Sequence, residues 1–181
     1  MVTTLPNLQD VRSQAGIKGG YALLVNTAPG WISSATSGGG SVSYTSRGAD
    51  VRANADGDEA AIAGIKGTGN HTNSVQIVRG YIQPRNDWFN HQHYVGLMNG
   101  TGATPSGTYM DIKAGETYHR DTLVDSWGGL SANNNYEFEV VNDQRNGESA
   151  WRIYSAGGIQ YEYTYGSSHG DLGRYYMVIR S

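Results

Sequence analysis

Two glutamates, Glu137 and Glu139, stand one residue apart in the run Tyr136-Glu137-Phe138-Glu139-Val140. On a β-strand that spacing puts both carboxyls on the same face. Glycoside hydrolysis needs a pair of carboxyls roughly 5 to 9 Å apart, one acting as acid and the other as base or nucleophile, and residues i and i+2 of a strand fall within that span. Glu162 is a third carboxylate that a neighbouring strand could bring close, and Arg152 is the natural counter-ion. The same alternation describes a solvated strand face closed by Arg152. That reading is the preferred one, so no catalytic residue is assigned, and Glu137 and Glu139 are the pair to watch.

The densest mixture of aromatic and hydrogen-bonding side chains lies between Gln83 and Tyr94. Arg85, Asn86, Asp87, Trp88, His91, His93 and Tyr94 together supply what a sugar site uses: an aromatic face to stack on a pyranose, and polar groups for its hydroxyls. Trp88 and Phe89 are equally suited to plug a core at a strand end. His91 and His93 would point the same way on a strand, but two imidazoles do not make a metal site; a third ligand would have to come from Asp87, Asp111 or His119. No transition-metal site is assigned. In Asn54-Ala55-Asp56-Gly57-Asp58-Glu59, the carboxylates of Asp56 and Asp58 give the oxygen density a calcium ion wants. The spacing of the helix-loop-helix calcium motif is missing, and an Asp-Gly hairpin turn explains the run more simply. No cofactor is expected, with Ca²⁺ the weak exception. Gly166-Ser167-Ser168-His169-Gly170 matches G-x-S-x-G, but that motif works on a strand-to-helix elbow and the residues that follow read as strand. The sequons at Asn70 and Asn99 would matter only in a eukaryotic secretory pathway.

The elements that must hold these groups are β-strands. Glycine is 26 of 181 residues and tyrosine 13 against 2 phenylalanines, a turn-rich composition with about twice the usual 7% glycine. Only three lysines and six glutamates are present, which is poor material for helices. The formal net charge of -3 gives no footprint for a polyanion, so nucleic acid is not expected as a partner. Ten of the 13 basic residues are arginine, whose planar fork suits docking surfaces and cross-strand ion pairs alike. With no cysteine, disulfides, thiolate metal sites and cysteine nucleophiles are excluded. The first twenty residues lack the basic start and apolar run of a signal peptide, and no stretch approaches 18 apolar residues, so neither classical export nor membrane insertion is expected.

Residues 1–20 read as an N-terminal arm, with Asn7 to Gln14 able to form two helical turns. Residues 21–181 read as one domain of short β-runs punctuated by Gly, Asn, Asp and Ser. The expected strands are 21–25, 41–46, 59–65, 74–83, 92–98, 108–113, 116–126, 135–142, 149–155, 159–165 and 173–180. Tyr136, Phe138 and Val140 should face a core, and Asn146-Gly147 should turn the chain into Trp151 and Ile153. A turn at Ala156-Gly157-Gly158 should then place Ile159, Tyr161, Tyr163 and Tyr165 on one face. The last 46 residues should form a four-stranded meander. The fold class is therefore all-β, an antiparallel β-sandwich of jelly-roll type.

The succession of Gly38-Gly39-Gly40-Ser41-Val42-Ser43-Tyr44, the apolar strand around Val75 to Ile82, Tyr94-Val95-Gly96-Leu97-Met98 and the Trp151 hairpin resembles the concanavalin-A-like lectin and glucanase sandwiches, including those of phage structural proteins. It does so in strand rhythm over residues 30–180. The Glu-x-Asp-x-Glu of the glucanases is not matched by Tyr-Glu-Phe-Glu-Val. The resemblance implies a non-enzymatic virion surface protein, such as a capsid decoration, head spike or fibre domain at the particle's exterior. Its expected partners are other virion proteins and glycans, and its expected state is a homo-oligomer, with a trimer as the working expectation. A carbohydrate-binding module or glycanase of the same class is the alternative.

Overall fold

A computed structural model of the chain describes residues 32–45, 48–52, 59–65, 75–84, 92–99, 106–170, 172 and 174–180. These residues contain no helix and thirteen strands: β1 (Ile32–Ser37), β2 (Ser41–Thr45), β3 (Gly48–Arg52), β4 (Glu59–Ile65), β5 (Val75–Ile82), β6 (Gln92–Asn99), β7 (Ser106–Asp111), β8 (Glu116–His119), β9 (Thr122–Ser126), β10 (Tyr136–Asp143), β11 (Glu148–Ser155), β12 (Gly158–Tyr165) and β13 (Arg174–Arg180). The expected arm at 1–20 and strand at 21–25 lie outside the described residues.

The strands form an antiparallel sandwich. One sheet has the order β1-β4-β13-β6-β7-β8-β9, the facing sheet the order β12-β11-β10-β5, and β2-β3 is a separate hairpin. Alternation drives the packing. Along β10 every second residue from Tyr136 is buried, and Tyr136, Phe138 and Val140 meet Trp151 and Ile153 of β11, Val78 and Ile82 of β5, and Val95, Leu97 and Met110 of the opposite sheet. Trp151 is wholly buried. On the far side of β6 and β7 a second cluster forms, in which Tyr94 meets Tyr109 edge-on at 5.2 Å and Tyr109 stacks on Tyr118 at 5.1 Å, with Met98 alongside. Residues 93–98 and 107–111 are consequently buried on both faces, which fits the apolar run Tyr94-Val95-Gly96-Leu97-Met98 of β6.

Three expectations are corrected. The run 116–126 is two strands, because Arg120 and Asp121 turn the chain in left-handed conformations, with φ of 50° and 63°. Two successive residues at positive φ make the tight hairpin turn usually signalled by Asn-Gly, and here no glycine marks it. The last strand does not complete a meander: β10, β11 and β12 follow one another, but β13 crosses to the other sheet and pairs with β4 and β6. Strands β1 and β3 were not anticipated. The Asn146-Gly147 turn forms, with Gly147 at φ 68°, and β12 carries a bulge opposite Ile153/Tyr154. Beyond that bulge Tyr161 is buried, while Ile159 and Tyr165 remain 57% and 37% exposed.

Polar groups secure the sandwich where sheet hydrogen bonds cannot. Asp111 accepts backbone N–H bonds from Lys113 and Ala114 at 3.0 and 3.1 Å, capping the turn into β8. Burial pushes its carboxyl above the ordinary aspartate range, against the lowering effect of those donors. Gly115 closes the same turn at φ 71°, where a Cβ would lie 1.9 Å from the Gly129 nitrogen. Tyr161 joins the sheets, its hydroxyl 2.7 Å from Thr117 Oγ1 and donating to Asp125 at 3.0 Å, with Trp127 stacked on its ring at 4.7 Å.

Candidate functional site

The outer face of the four-stranded sheet assembles the chemistry that the sequence distributes over distant segments. Strand pairing fixes two rows. In one, Glu137 of β10 lies between Tyr81 of β5 and Tyr154 of β11; in the next, Glu139 lies between Arg79 and Arg152, and Arg152 faces Glu162 of β12. Inward neighbours at alternate positions fill the core, so these side chains must project outward.

They form a continuous ion-pair ladder. Arg79 pairs with Glu137, and its Nε lies 3.9 Å from Glu139. Arg152 donates from Nη1 to Glu139 and from Nε to Glu162, both at 2.6 Å. Glu137 and Glu139 are only 19% and 16% exposed, against 46% for Glu162, so the ladder runs from a packed centre to an open end. Tyr81 donates a hydrogen bond to Glu137, and burial with that carboxylate raises its hydroxyl pKa. Burial and then Glu139 do the same for Tyr154. Each central carboxylate is thus engaged by a guanidinium. An acid-base pair needs one carboxyl free to hold a proton while its neighbour attacks, whereas here Glu137 and Glu139 are both paired with arginine. It does offer half-buried tyrosine rings beside fixed charges, a surface able to stack on and hydrogen-bond a polar ligand.

The other expected site residues fall elsewhere. Arg85, Asn86, Asp87, Trp88 and His91, and the calcium candidates Asp56 and Asp58, lie outside the described residues. His93 and Tyr94 occupy opposite faces of β6 and are both buried, at 6% and 8% exposure, so neither is presented to a ligand at the surface. Asp111 caps its turn and does not approach the pair as a ligand set; among the described residues no group of three His, Cys, Asp or Glu side chains is placed to hold a metal ion.

His119 belongs to a separate polar cluster between the sheets. Its Nδ1 lies 3.4 Å from Thr108 Oγ1 and 3.3 Å from Ser149 Oγ, and its ring is 6.2 Å from that of His169. Burial, then the nearby Arg120 and His169, lowers its pKa to about 4. The G-x-S-x-G segment enters here as a crossover and not as an elbow: Arg120 donates to Ser168 O at 2.9 Å, Asn142 binds its backbone at His169 and Gly170, and Gln76 binds the backbone of Leu172 just beyond it.

The ladder members that sequence reasoning did not single out are Arg79, Tyr81 and Tyr154. Their signal was present in Arg79, the one charge in an otherwise uncharged strand, which has to find an anion on the adjacent strand or face water. No protein-family model matches the chain, and comparison with curated proteins finds no match.

Proposed function

We propose that the protein is a non-enzymatic surface domain of a virus particle, a capsid decoration, head spike or fibre domain, that contacts glycans through the outer face of β5-β10-β11-β12. The observation that carries the binding reading is the arginine engagement of Glu137 and Glu139: a face whose carboxylates are locked in a ladder is rigid and polar, suited to holding a ligand and not to transferring protons to it. Tyr81 and Tyr154, one on each side of Glu137, supply the stacking surface. Three carboxylates against two guanidiniums leave the ladder one negative charge in excess, which favours neutral glycans over sulfated or sialylated ones. The particle setting rests on the strand rhythm of residues 30–180, which resembles that of the concanavalin-A-like sandwiches of phage structural proteins.

Glycan-array binding of the wild type and of Tyr154→Ala tests the face. Loss of one stacking ring should weaken a neutral-glycan signal about tenfold, by the worth of an aromatic contact; undiminished binding by Tyr154→Ala and Tyr81→Ala removes this face from the reading. A polysaccharide-degradation screen separates the alternative, since depolymerisation by the wild type that Glu139→Gln abolishes would make the protein a glycanase. Absence of the chain from purified native particles would refute the particle setting.

A further inference from the structure

The turn that joins β10 to β11 gathers its donors on one carboxylate. Asp143 Oδ1 accepts the backbone N–H groups of Arg145 and Asn146 at 2.9 and 3.2 Å, and Oδ2 accepts Nδ2 of the Asn146 side chain at 3.0 Å. The Arg145 guanidinium stands beside the same group, with Nε 3.4 Å from Oδ1. Asp143 is only 14% exposed although Arg145 is 61% exposed, so the acceptor is anchored while its donors face water. Asn146 is itself exposed. Gly147 follows it at φ 68°, with no atom within 4 Å of the position a Cβ would take. The two backbone bonds shape the turn. The bond to Nδ2 has no such task, because an exposed carboxamide can be hydrated instead; its effect is to fix where the carboxamide points.

That direction matters because asparagine before glycine is the sequence in which the backbone most readily attacks a side chain, glycine having no Cβ to crowd the approach. The nitrogen of Gly147 forms a bond to Cγ of Asn146 and gives up its proton to solvent. The Cγ–Nδ2 bond breaks, and the amide leaves as ammonia with a proton from water. Water then opens the succinimide at either carbonyl, leaving aspartate or isoaspartate at 146. The sum consumes water and releases ammonia, with no change of oxidation state. We infer that Asn146-Gly147 is a self-modification site and that Asp143 is the latch that slows it: with Nδ2 tied to Oδ2, the carboxamide is drawn back towards residue 143 and away from the nitrogen that follows it. Conversion changes the turn. It replaces a donor to Asp143 with a second carboxylate, and isoaspartate adds a backbone carbon to the turn 144–147, which closes on the paired residues Asp143 and Glu148.

Asp143→Ser isolates the latch, since a serine hydroxyl can still accept a backbone N–H two residues on but brings no second oxygen to Asn146. The full chain, wild type and variant, is incubated at mildly alkaline pH, once where circular dichroism shows both folded and once in concentrated urea. Peptide mapping by mass spectrometry follows the conversion of amide to acid at 146. In the folded proteins the variant should convert about tenfold faster than the wild type, the worth of one hydrogen bond to a charged acceptor. In urea, where the latch is gone from both, the two should convert at the same rate. No conversion at 146, equal rates in the folded proteins, or an acceleration that persists in urea would overturn the inference.

Discussion

Asn142→Leu should unfasten the crossover between the two sheets. Asn142 is fully buried on the inner side of β10, and its side chain takes part in four hydrogen bonds. Nδ2 donates to Gln76 Oε1 at 3.0 Å, to His169 O at 3.2 Å and to Gly170 O at 3.3 Å, while Oδ1 accepts from the His169 backbone N–H at 2.8 Å. Leucine fills nearly the same space, so the cost is electrostatic and not a cavity. The His169 N–H loses its partner and two carbonyls lose a donor; Gly170, at the surface, recovers water. Gln76 still accepts from Leu172 N at 3.1 Å and donates to Leu172 O at 2.8 Å. With one poorly hydrated N–H and one carbonyl left unmet, at roughly 1–3 kcal/mol each and overlapping, the expected loss is about 3 kcal/mol. In a domain of this size that lowers Tm by about 6–12 °C. Urea denaturation measures the loss, and amide exchange locates it: the His169 N–H should exchange faster in the variant than global unfolding alone requires. Because Gln76 and Asn142 share one network, the double variant Gln76→Leu/Asn142→Leu should cost less than the two singles added. A Tm within a degree or two of wild type, or a His169 amide whose exchange is unchanged, would refute the assignment of Asn142 as the fastener of this crossover.

Two further outcomes are expected. Asp121→Gly, at the second left-handed position of the β8–β9 turn, should stabilise the fold by about 0.5–1 kcal/mol, read as a raised urea midpoint, because glycine adopts that conformation without a Cβ penalty. Stability should fall as pH drops from about 6.5 to about 4, since His119 is protonated in the unfolded chain at its ordinary 6.5 and in the folded protein only near 4; the full window is worth at most about 3 kcal/mol. Asp111, whose pKa is raised, acts in the opposite sense, so the diagnostic quantity is the difference between wild type and His119→Gln in urea titrations across that range, and parallel pH profiles would rule out His119 as the source.

The elements that were legible are those whose signal is local. Tyr136, Phe138 and Val140 alternate with charges, and a half-buried strand is the only placement that satisfies both sets at once. Asn146-Gly147 supplies a positive φ at little cost, so that hairpin could be read from two residues. The β8–β9 hairpin escaped notice because Arg120 and Asp121 pay for the same geometry without the usual residues, and the compensating contact from Arg120 to Ser168 reaches 48 residues along the chain. The placement of β13 was illegible for a different reason. Tyr175, Met177 and Ile179 alternate just as they would in a fourth meander strand, and periodicity names a face without naming the sheet. What decides the matter is a choice of neighbours, β4 and β6, made by the whole chain.

The site divides along the same line. That Glu137 and Glu139 share an outward face follows from their spacing, and Arg152 could be named as a partner because the Asn146-Gly147 hairpin sets β11 beside β10. Arg79 could not, since β5 reaches β10 only through a long-range pairing that puts Arg79 opposite Glu139. This difference changes the chemistry that the face permits. With Arg152 alone, Glu137 would be an open carboxylate beside a paired one, an asymmetry of the kind that acid-base catalysis exploits. With Arg79 also in place, both carboxylates are paired with arginine. Arg79, on which the proposed binding reading turns, lies on the strand of this sheet that is farthest from the motif in sequence order, and only the register of β5 against β10 brings it there.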